Sequence, residues 1–371
     1  MNPNRPLYLD HNATTPCDAR VRQEMDPYFS DAFWNPSSSH VLGRKAFRAL
    51  EEARCRSAVA LGVDPEDVVF TSGATEAINL ALERLPEALI RSTCIYPSPV
   101  EHRAVQNALQ RLQRRGATVK LLPTGIGGIV NLSGILEPSI YVVQAANSET
   151  GVKQDIAAIS EAVRTVGGLL ICDAAQALWK MHSKEFMSYA DAIVLSAHKA
   201  YGPKGVGALI ATSDFRRLLR KDFPESAQEA LIREGTVNVA SAVGFARTME
   251  LVADESHQWR SAANATRDAF EAALERLSPG ELVTNLKSLP RLVNTSSIWV
   301  KGQQGDAVVV RASKIAISYG SACSSGAPEP SPVLVASGLT RQVASESVRV
   351  SFGRDHSPVD GEFAASELSS L

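Results

Sequence analysis

Between residues 64 and 212, short apolar runs rich in β-forming residues alternate with stretches of helical periodicity. No other feature of the chain restricts its fold as much, because such alternation calls for a mostly parallel sheet with helices on both faces, an α/β architecture. Residues 68–70, 140–144, 169–172, 192–195 and 206–210 read as strands. One intervening helix is explicit: Ile156, Ile159, Val163 and Val166 recur on one face, Asp155 stands at its start, and Gly167-Gly168 follow its end. Ligands of such sheets gather beyond the carboxyl ends of the strands, so the polar clusters just after them matter most. Beyond residue 250 the pattern changes to a helical stretch over 249–277 and strands at 297–300, 315–318 and 348–352. A chain of 371 residues has room for two domains. The expected division is a large domain over 16–250 and a smaller α/β domain made of 1–15 and 251–371.

Composition narrows the range of partners. A formal net charge of -2 offers no broad electrostatic attraction to nucleic acid or to an anionic membrane. No run approaches the length of a membrane-spanning helix, and the first residues lack the apolar stretch of a secretory signal. The five cysteines, Cys17, Cys55, Cys94, Cys172 and Cys323, are scattered and odd in number, so neither a disulfide framework nor a metal site is expected. A reducing cytoplasm suits such a chain.

Three clusters follow predicted strands. In Ser196-Ala197-His198-Lys199-Ala200-Tyr201-Gly202-Pro203-Lys204-Gly205 a lysine stands at a strand's carboxyl end, where a partly desolvated amine can form a Schiff base with an aldehyde. Ser196 and His198 could hold a phosphate beside it. In Asp173-Ala174-Ala175-Gln176 a carboxylate can keep a pyridine nitrogen protonated, and Gln176 can reach a ring oxygen. In Thr71-Ser72-Gly73-Ala74-Thr75-Glu76 the start of a helix offers free N–H groups and the Thr75 hydroxyl to a phosphate. Each cluster taken alone also fits a bland role: a solvated lysine in a glycine-rich turn, an aspartate capping a helix, a hydroxyl-rich cap. Glu101-His102-Arg103 and Asn147-Ser148-Glu149-Thr150-Gly151 are equally compatible with a structural histidine and ordinary turn chemistry. Cys323 differs, since it lies among Gly and Ser in a segment expected to be exposed, as a reactive thiol requires.

Taken together and in order, these motifs resemble the cysteine desulfurases, of the class V aminotransferase-like group of fold-type I pyridoxal-phosphate enzymes. The resemblance also takes in Tyr8-Leu9-Asp10-His11-Asn12-Ala13-Thr14-Thr15-Pro16, Asn35-Pro36-Ser37-Ser38, Gly320-Ser321-Ala322-Cys323 and Val348-Arg349-Val350-Ser351-Phe352-Gly353-Arg354, and so spans nearly the whole chain. It implies a seven-stranded, mostly parallel sheet in the large domain and pyridoxal 5'-phosphate as cofactor. By the same resemblance Lys199 carries the cofactor, Asp173 pairs with its pyridine nitrogen, Gln176 bonds its ring hydroxyl, and His102 stacks on the ring and moves protons. Ala74, Thr75, Ser196 and His198 would bind the phosphate with Thr236 of the other subunit of a homodimer. Asn147 is placed at both cofactor and substrate, and Asn12 and Arg349 at the substrate. Cys323 would take sulfur from L-cysteine as a persulfide, release L-alanine and pass the sulfur to an acceptor protein.

The chain departs from the family pattern in three places. Glu225-Ser226-Ala227-Gln228-Glu229 replaces a glycine-rich stretch, residues 125–141 are compressed, and the stretch after Arg354 is short. These positions bear on acceptor docking, so the acceptor stays open among iron-sulfur assembly, transfer-RNA thiolation, DNA modification and natural-product sulfur. Rival readings are selenocysteine or cysteine lyase or aminotransferase chemistry, which need Lys199 but no mobile cysteine, and a sulfur-relay scaffold with a vestigial cofactor site.

Overall fold

The computed structural model describes residues 5–220, 232–320 and 329–371; Cys323 and the segment 225–229 lie outside the described residues. Among the described residues the main sheet has seven strands. Their spatial order is Val68–Thr71, Gly207–Ala211, Ala192–Ser196, Leu169–Asp173, Ile140–Gln144, Cys94–Pro97 and Thr118–Val119. Gly207–Ala211 runs antiparallel to both neighbours, and the remaining pairs are parallel. The central strands are apolar up to their last residues because both faces are covered. Tyr141, Val143, Cys172 and Leu195 face one core, with Leu50, Ile159 and Val243 from helices packed on that side. Ile140, Val142, Ile171 and Val194 face the other, against Ile78, Val105 and Phe215.

The helix read from residues 155–168 is present as Ile156–Thr165. The Asp155 carboxylate accepts from the Ala158 N–H at 3.0 Å, and Gly167 leaves the helix in a left-handed conformation. The long helix begins ten residues before the expected position 249, at Val239, and runs unbroken to Leu277. Asn238 caps it by accepting from the Ser241 N–H at 3.0 Å. Its first turns bury small residues, Ala240, Ser241 and Ala242, which conceal the apolar periodicity that marks its later turns. Residue 250 lies inside this continuous helix.

Ser347–Ser351, Thr295–Val300 and Leu282–Thr284 form a second, antiparallel sheet. A third core lies beneath it, where Ile298, Val350 and Phe352 meet Phe270 and Leu274 of the long helix and Ala364 of Pro358–Ser369. Leu7–Tyr8 pairs in parallel with Ile315–Ala316, and residues 9–15 then cross to the main sheet. There the Thr15 N–H donates to the His198 carbonyl at 2.9 Å. This N-terminal strap carries Asn12 to the edge of the sheet beside Lys199.

The long helix is tied to the second sheet by a buried ion pair, in which the Arg291 guanidinium meets both Glu271 oxygens, at 2.8 and 3.1 Å. The Ser296 hydroxyl also donates to Glu271. Removing one member strands the other charge without water. Glu271→Ala is expected to lower unfolding stability by on the order of 3–5 kcal/mol, with Glu271→Leu/Arg291→Met recovering most of the loss. Urea unfolding at constant m checks both values.

Candidate active site

Three central strands end side by side at one edge of the main sheet: Gln144 and Asp173 are register partners, and Ser196 ends the next strand. This edge opens into a cavity of about 1170 Å³ between the main sheet and the second sheet. Asn12, Ala74, Thr75, His102, Asn147, Asp173, Gln176, Ser196, His198, Lys199 and Arg349 all line it. Residues singled out far apart in the sequence therefore share one cavity. Thr236 does not join them; it is exposed after the turn at residues 232–235. Gly320 and Glu329, the described residues flanking the segment that contains Cys323, both line the cavity.

Lys199 ends a single helical turn that directly follows Ala192–Ser196. Its Nζ donates to the carbonyls of Asn12 and Ala13, each at 2.7 Å, so the strap fixes the amine. Its own carbonyl accepts from the Trp179 indole at 3.0 Å. Two residues on, Tyr201 takes a left-handed conformation with φ 65°, which costs a non-glycine residue about 1–3 kcal/mol. Two bonds retain it there. The Tyr201 N–H donates to the Thr15 hydroxyl at 2.7 Å, and its own hydroxyl accepts from the Arg354 N–H at 2.6 Å.

Asp173 is buried at its strand's carboxyl end and accepts from the Ala175 N–H at 3.0 Å. Burial pushes its carboxyl above the usual range, opposed by His102, the Ala175 bond and Lys199. A cationic ring nitrogen is the partner such a buried carboxylate lacks. Glu101, buried beside it, accepts from the Gln144 N–H at 2.8 Å with one oxygen, while the other meets no donor among the described residues. Burial, then the nearby Asp173, raise Glu101 well above its ordinary value. His102 caps the helix Arg103–Arg114, accepting from the Ala104 N–H at 3.1 Å through Nδ1. This leaves Nε2 as the nitrogen that can meet a ligand.

The helix Ala74–Glu83 starts at the cavity, and Gly73 stands before it without a side-chain cap. Its first N–H groups and the exposed Thr75 therefore face an anion, if one is bound. Gly207 permits this placement: a Cβ there would lie 2.8 Å from the Gly73 Cα and 2.4 Å from the Leu195 carbonyl oxygen. His198 points its Nδ1 at the Thr14 hydroxyl at 3.1 Å, and burial with the charges of Lys199, Lys204 and Lys180 lowers its pKa to about 4. A neutral imidazole results, which can still donate one hydrogen bond.

At the opposite wall Arg349 pairs with Asp10 and donates to the Ser148 carbonyl at 3.1 Å. Its buried Nε meets no acceptor among the described residues. The Asn147 side chain shapes the loop that follows it, its oxygen accepting from the Glu149 and Thr150 N–H groups at 2.8 and 2.9 Å. Both Asn12 amide hydrogens are committed to protein, to the Ser148 carbonyl at 3.0 Å and the Thr295 hydroxyl at 2.9 Å. What Asn12 turns toward Lys199 is its backbone carbonyl. Sequence reading did not find Lys180, whose buried amine joins this network, because a lysine in Ala177-Leu178-Trp179-Lys180-Met181 carries no local mark of burial. Among the described residues no group of three His, Cys, Asp or Glu side chains is placed to hold a metal ion, and no helix is long and apolar enough to cross a membrane.

A mostly parallel sheet with an amine, a buried carboxyl and an uncapped helix start at its carboxyl edge defines the class: a fold-type I α/β enzyme scaffold. Residues 7–360 match the aminotransferase class-V family, and the chain belongs to that family and, within it, to the cysteine desulfurases. It is 39% identical to a cysteine desulfurase of Frankia sp. (strain EuIK1), the match covering 94% of this chain and 87% of the relative. A solved NifS-like protein superposes with a TM-score of 0.89 at 29% identity, covering 98% of each chain. SspA, solved in complex with cysteine, superposes with a TM-score of 0.77 at 28% identity over 93% of this chain and 98% of its own. Enzymes of this family depend on pyridoxal phosphate.

Proposed function

We propose that this chain is a pyridoxal-phosphate-dependent desulfurase that converts L-cysteine to L-alanine, keeps the sulfur as a persulfide on Cys323 and passes it to an acceptor protein. The observation that carries the reading is the convergence of the Lys199 amine, the buried Asp173 carboxyl and the His102 ring on one cavity. The similarity to SspA, solved with cysteine, supports the choice of substrate.

The residues present fit the cofactor: an amine for its aldehyde, a buried carboxyl lacking a cation for its pyridine nitrogen, and an uncapped helix start for its phosphate. Lys199 would hold it covalently, Asp173 and Gln176 would meet the ring nitrogen and ring oxygen, and His102 would stack on the ring. Ala74, Thr75, Ser196 and His198 would take the phosphate, joined by Thr236 of the partner subunit in a homodimer. When bound, pyridoxal phosphate supplies an electron sink for bonds at the amino acid's Cα and Cβ. Arg349, with Asn147, would orient the substrate carboxylate, a task suited to the guanidinium whose Nε still lacks an acceptor. Asn12, its amide spent on Ser148 and Thr295, would act through its backbone carbonyl on Lys199. Lys199 would move the Cα proton, and His102 would hold or deliver protons at the wall. The Cys323 thiolate would attack the substrate sulfur: an S–S bond forms as the Cβ–S bond breaks, and Cβ gains a proton to become the methyl of alanine. As part of the same proposal, residues 1–15 and 251–371 form the smaller domain, joined to the larger within the helix Val239–Leu277.

Asp173→Asn tests the electrostatic core of this scheme, since a neutral amide cannot keep the ring nitrogen protonated. The variant is expected to retain the cofactor absorbance yet form alanine from cysteine slower by on the order of 10²-fold or more. Wild-type turnover by this variant removes Asp173 from the role. In the same assay, pyruvate in place of alanine would identify a lyase.

A further inference from the structure

Lys180 lies in the turn after Gln176 and is among the most completely buried side chains of the protein. Its Nζ donates to the Asn12 side-chain oxygen at 2.8 Å and also to the Gln176 side-chain oxygen. Both acceptors are neutral amides. Burying an amine without a carboxylate bonded to it is costly, and a core position of this size is ordinarily filled by an apolar side chain. The two bonds have a directional consequence. With their oxygens held by Lys180, both amides turn their NH2 groups elsewhere: Gln176 toward the Asn12 carbonyl at 3.0 Å, and Asn12 toward Ser148 and Thr295. The Asn12 side chain is thereby held in place, and the backbone carbonyl of the same residue accepts from the Lys199 amine at 2.7 Å. One residue joins the two lysines, its side chain bonded to Lys180 and its backbone to Lys199.

We propose that Lys180 is a positioning residue for Lys199: a second buried amine on the same asparagine, which fixes where the Lys199 amine sits and keeps that amine ready to react. The proposal rests on the reading of Lys199 as the cofactor-bearing lysine. Burial pushes the Lys180 ammonium well below its ordinary value, and the charges of Lys199 and Arg349 push it further, against Asp10. Like charges disfavour each other's protonated form, so wherever Lys180 carries its proton it acts on Lys199 in the same sense that Lys199 acts on it. His11 and His198 also face Lys180, and burial is the largest cause keeping each of them neutral. Asp173 and His102 complete the charged surroundings of Lys199. Of these groups, Lys180 alone is an amine bonded to the residue that holds Lys199.

The test uses the cofactor-free protein and no cysteine, so it stands or falls apart from the desulfurase assignment. Reductive methylation with formaldehyde, followed by peptide mass spectrometry, reports the reactive amine fraction of Lys199 across pH. In Lys180→Met the Lys199 profile is expected to move to higher pH by about one unit, which is about tenfold less neutral amine at a given pH below the midpoint. Thermal melting establishes that the variant is folded. Should Lys180→Met fail to fold, Lys180→Gln carries the test, because it keeps a polar donor at the buried position while the charge is gone, and the same displacement is expected. A folded variant of either kind whose Lys199 profile superimposes on wild type overturns the proposal, because a merely structural Lys180 would leave that profile in place.

Discussion

Lys199→Ala is expected to fold like the wild type, to show no covalent cofactor absorbance at about 400 nm and to form alanine from cysteine at least about 10³-fold more slowly. The size of the effect follows from the two tasks assigned to one amine, covalent attachment and movement of the Cα proton. The geometry leaves no ready substitute. Lys180, the buried amine closest in the network, is tied to two amide oxygens, whereas the Lys199 amine is held by the strap at the cavity wall. Folding should survive the change, since the Asn12 carbonyl keeps its bond from Gln176. Absorbance spectra with added pyridoxal phosphate and amino-acid analysis of the products check the two halves separately. Undiminished turnover by this variant would overturn the assignment of Lys199.

What the chain disclosed about itself depended on how local the determining physics was. The strand at Leu169–Asp173 and the helix Ile156–Thr165 are legible because burial on both faces and a capped amphipathic repeat are written into consecutive residues. Cys94–Pro97 and Thr118–Val119 escaped notice: they are short strands, the second at the sheet's edge and the first, ending in proline, next to it, and only pairing with their neighbours makes them strands. The site divides in the same way. Lys199, Asp173 and Thr75 follow strands that can be read, so their shared edge could be anticipated from the rule that places ligands there. Besides the nearby Gln176, Lys180 is bonded by the distant Asn12, whose oxygen Asn294 shares, and no window around Lys180 contains that information. Asn12, which the resemblance places at the substrate, spends its side-chain amide on Ser148 and Thr295 and turns its backbone carbonyl toward Lys199. A motif identifies the residue that matters without saying which of its atoms faces the chemistry.

Cys323→Ser separates desulfurase chemistry from every other reaction that Lys199 and Asp173 could support. The variant is expected to keep the cofactor absorbance and to bind cysteine, yet to release almost no alanine over multiple turnovers. Serine matches cysteine in shape, but its hydroxyl is scarcely ionised near neutrality and attacks sulfur poorly, whereas a thiolate attacks it well. Wild-type protein incubated with cysteine in the absence of reductant should gain about 32 Da, one sulfur, on the peptide that contains Cys323. The other cysteines provide internal controls. Cys172 is fully buried in the main sheet, and burial raises its thiol well above the ordinary value, as it also raises the half-buried Cys17. Cys55 is exposed on the helix Val41–Leu61 but does not line the cavity, and neither does Cys94. Exposure alone would favour Cys55 as the sulfur acceptor, while the Gly320-Ser321-Ala322-Cys323 motif favours Cys323, in a segment bounded by Gly320 and Glu329, which both line the cavity. Sulfur found on Cys55 would take the persulfide role away from Cys323, and alanine released undiminished by Cys323→Ser would exclude the persulfide route through Cys323 and leave a lyase on the same scaffold.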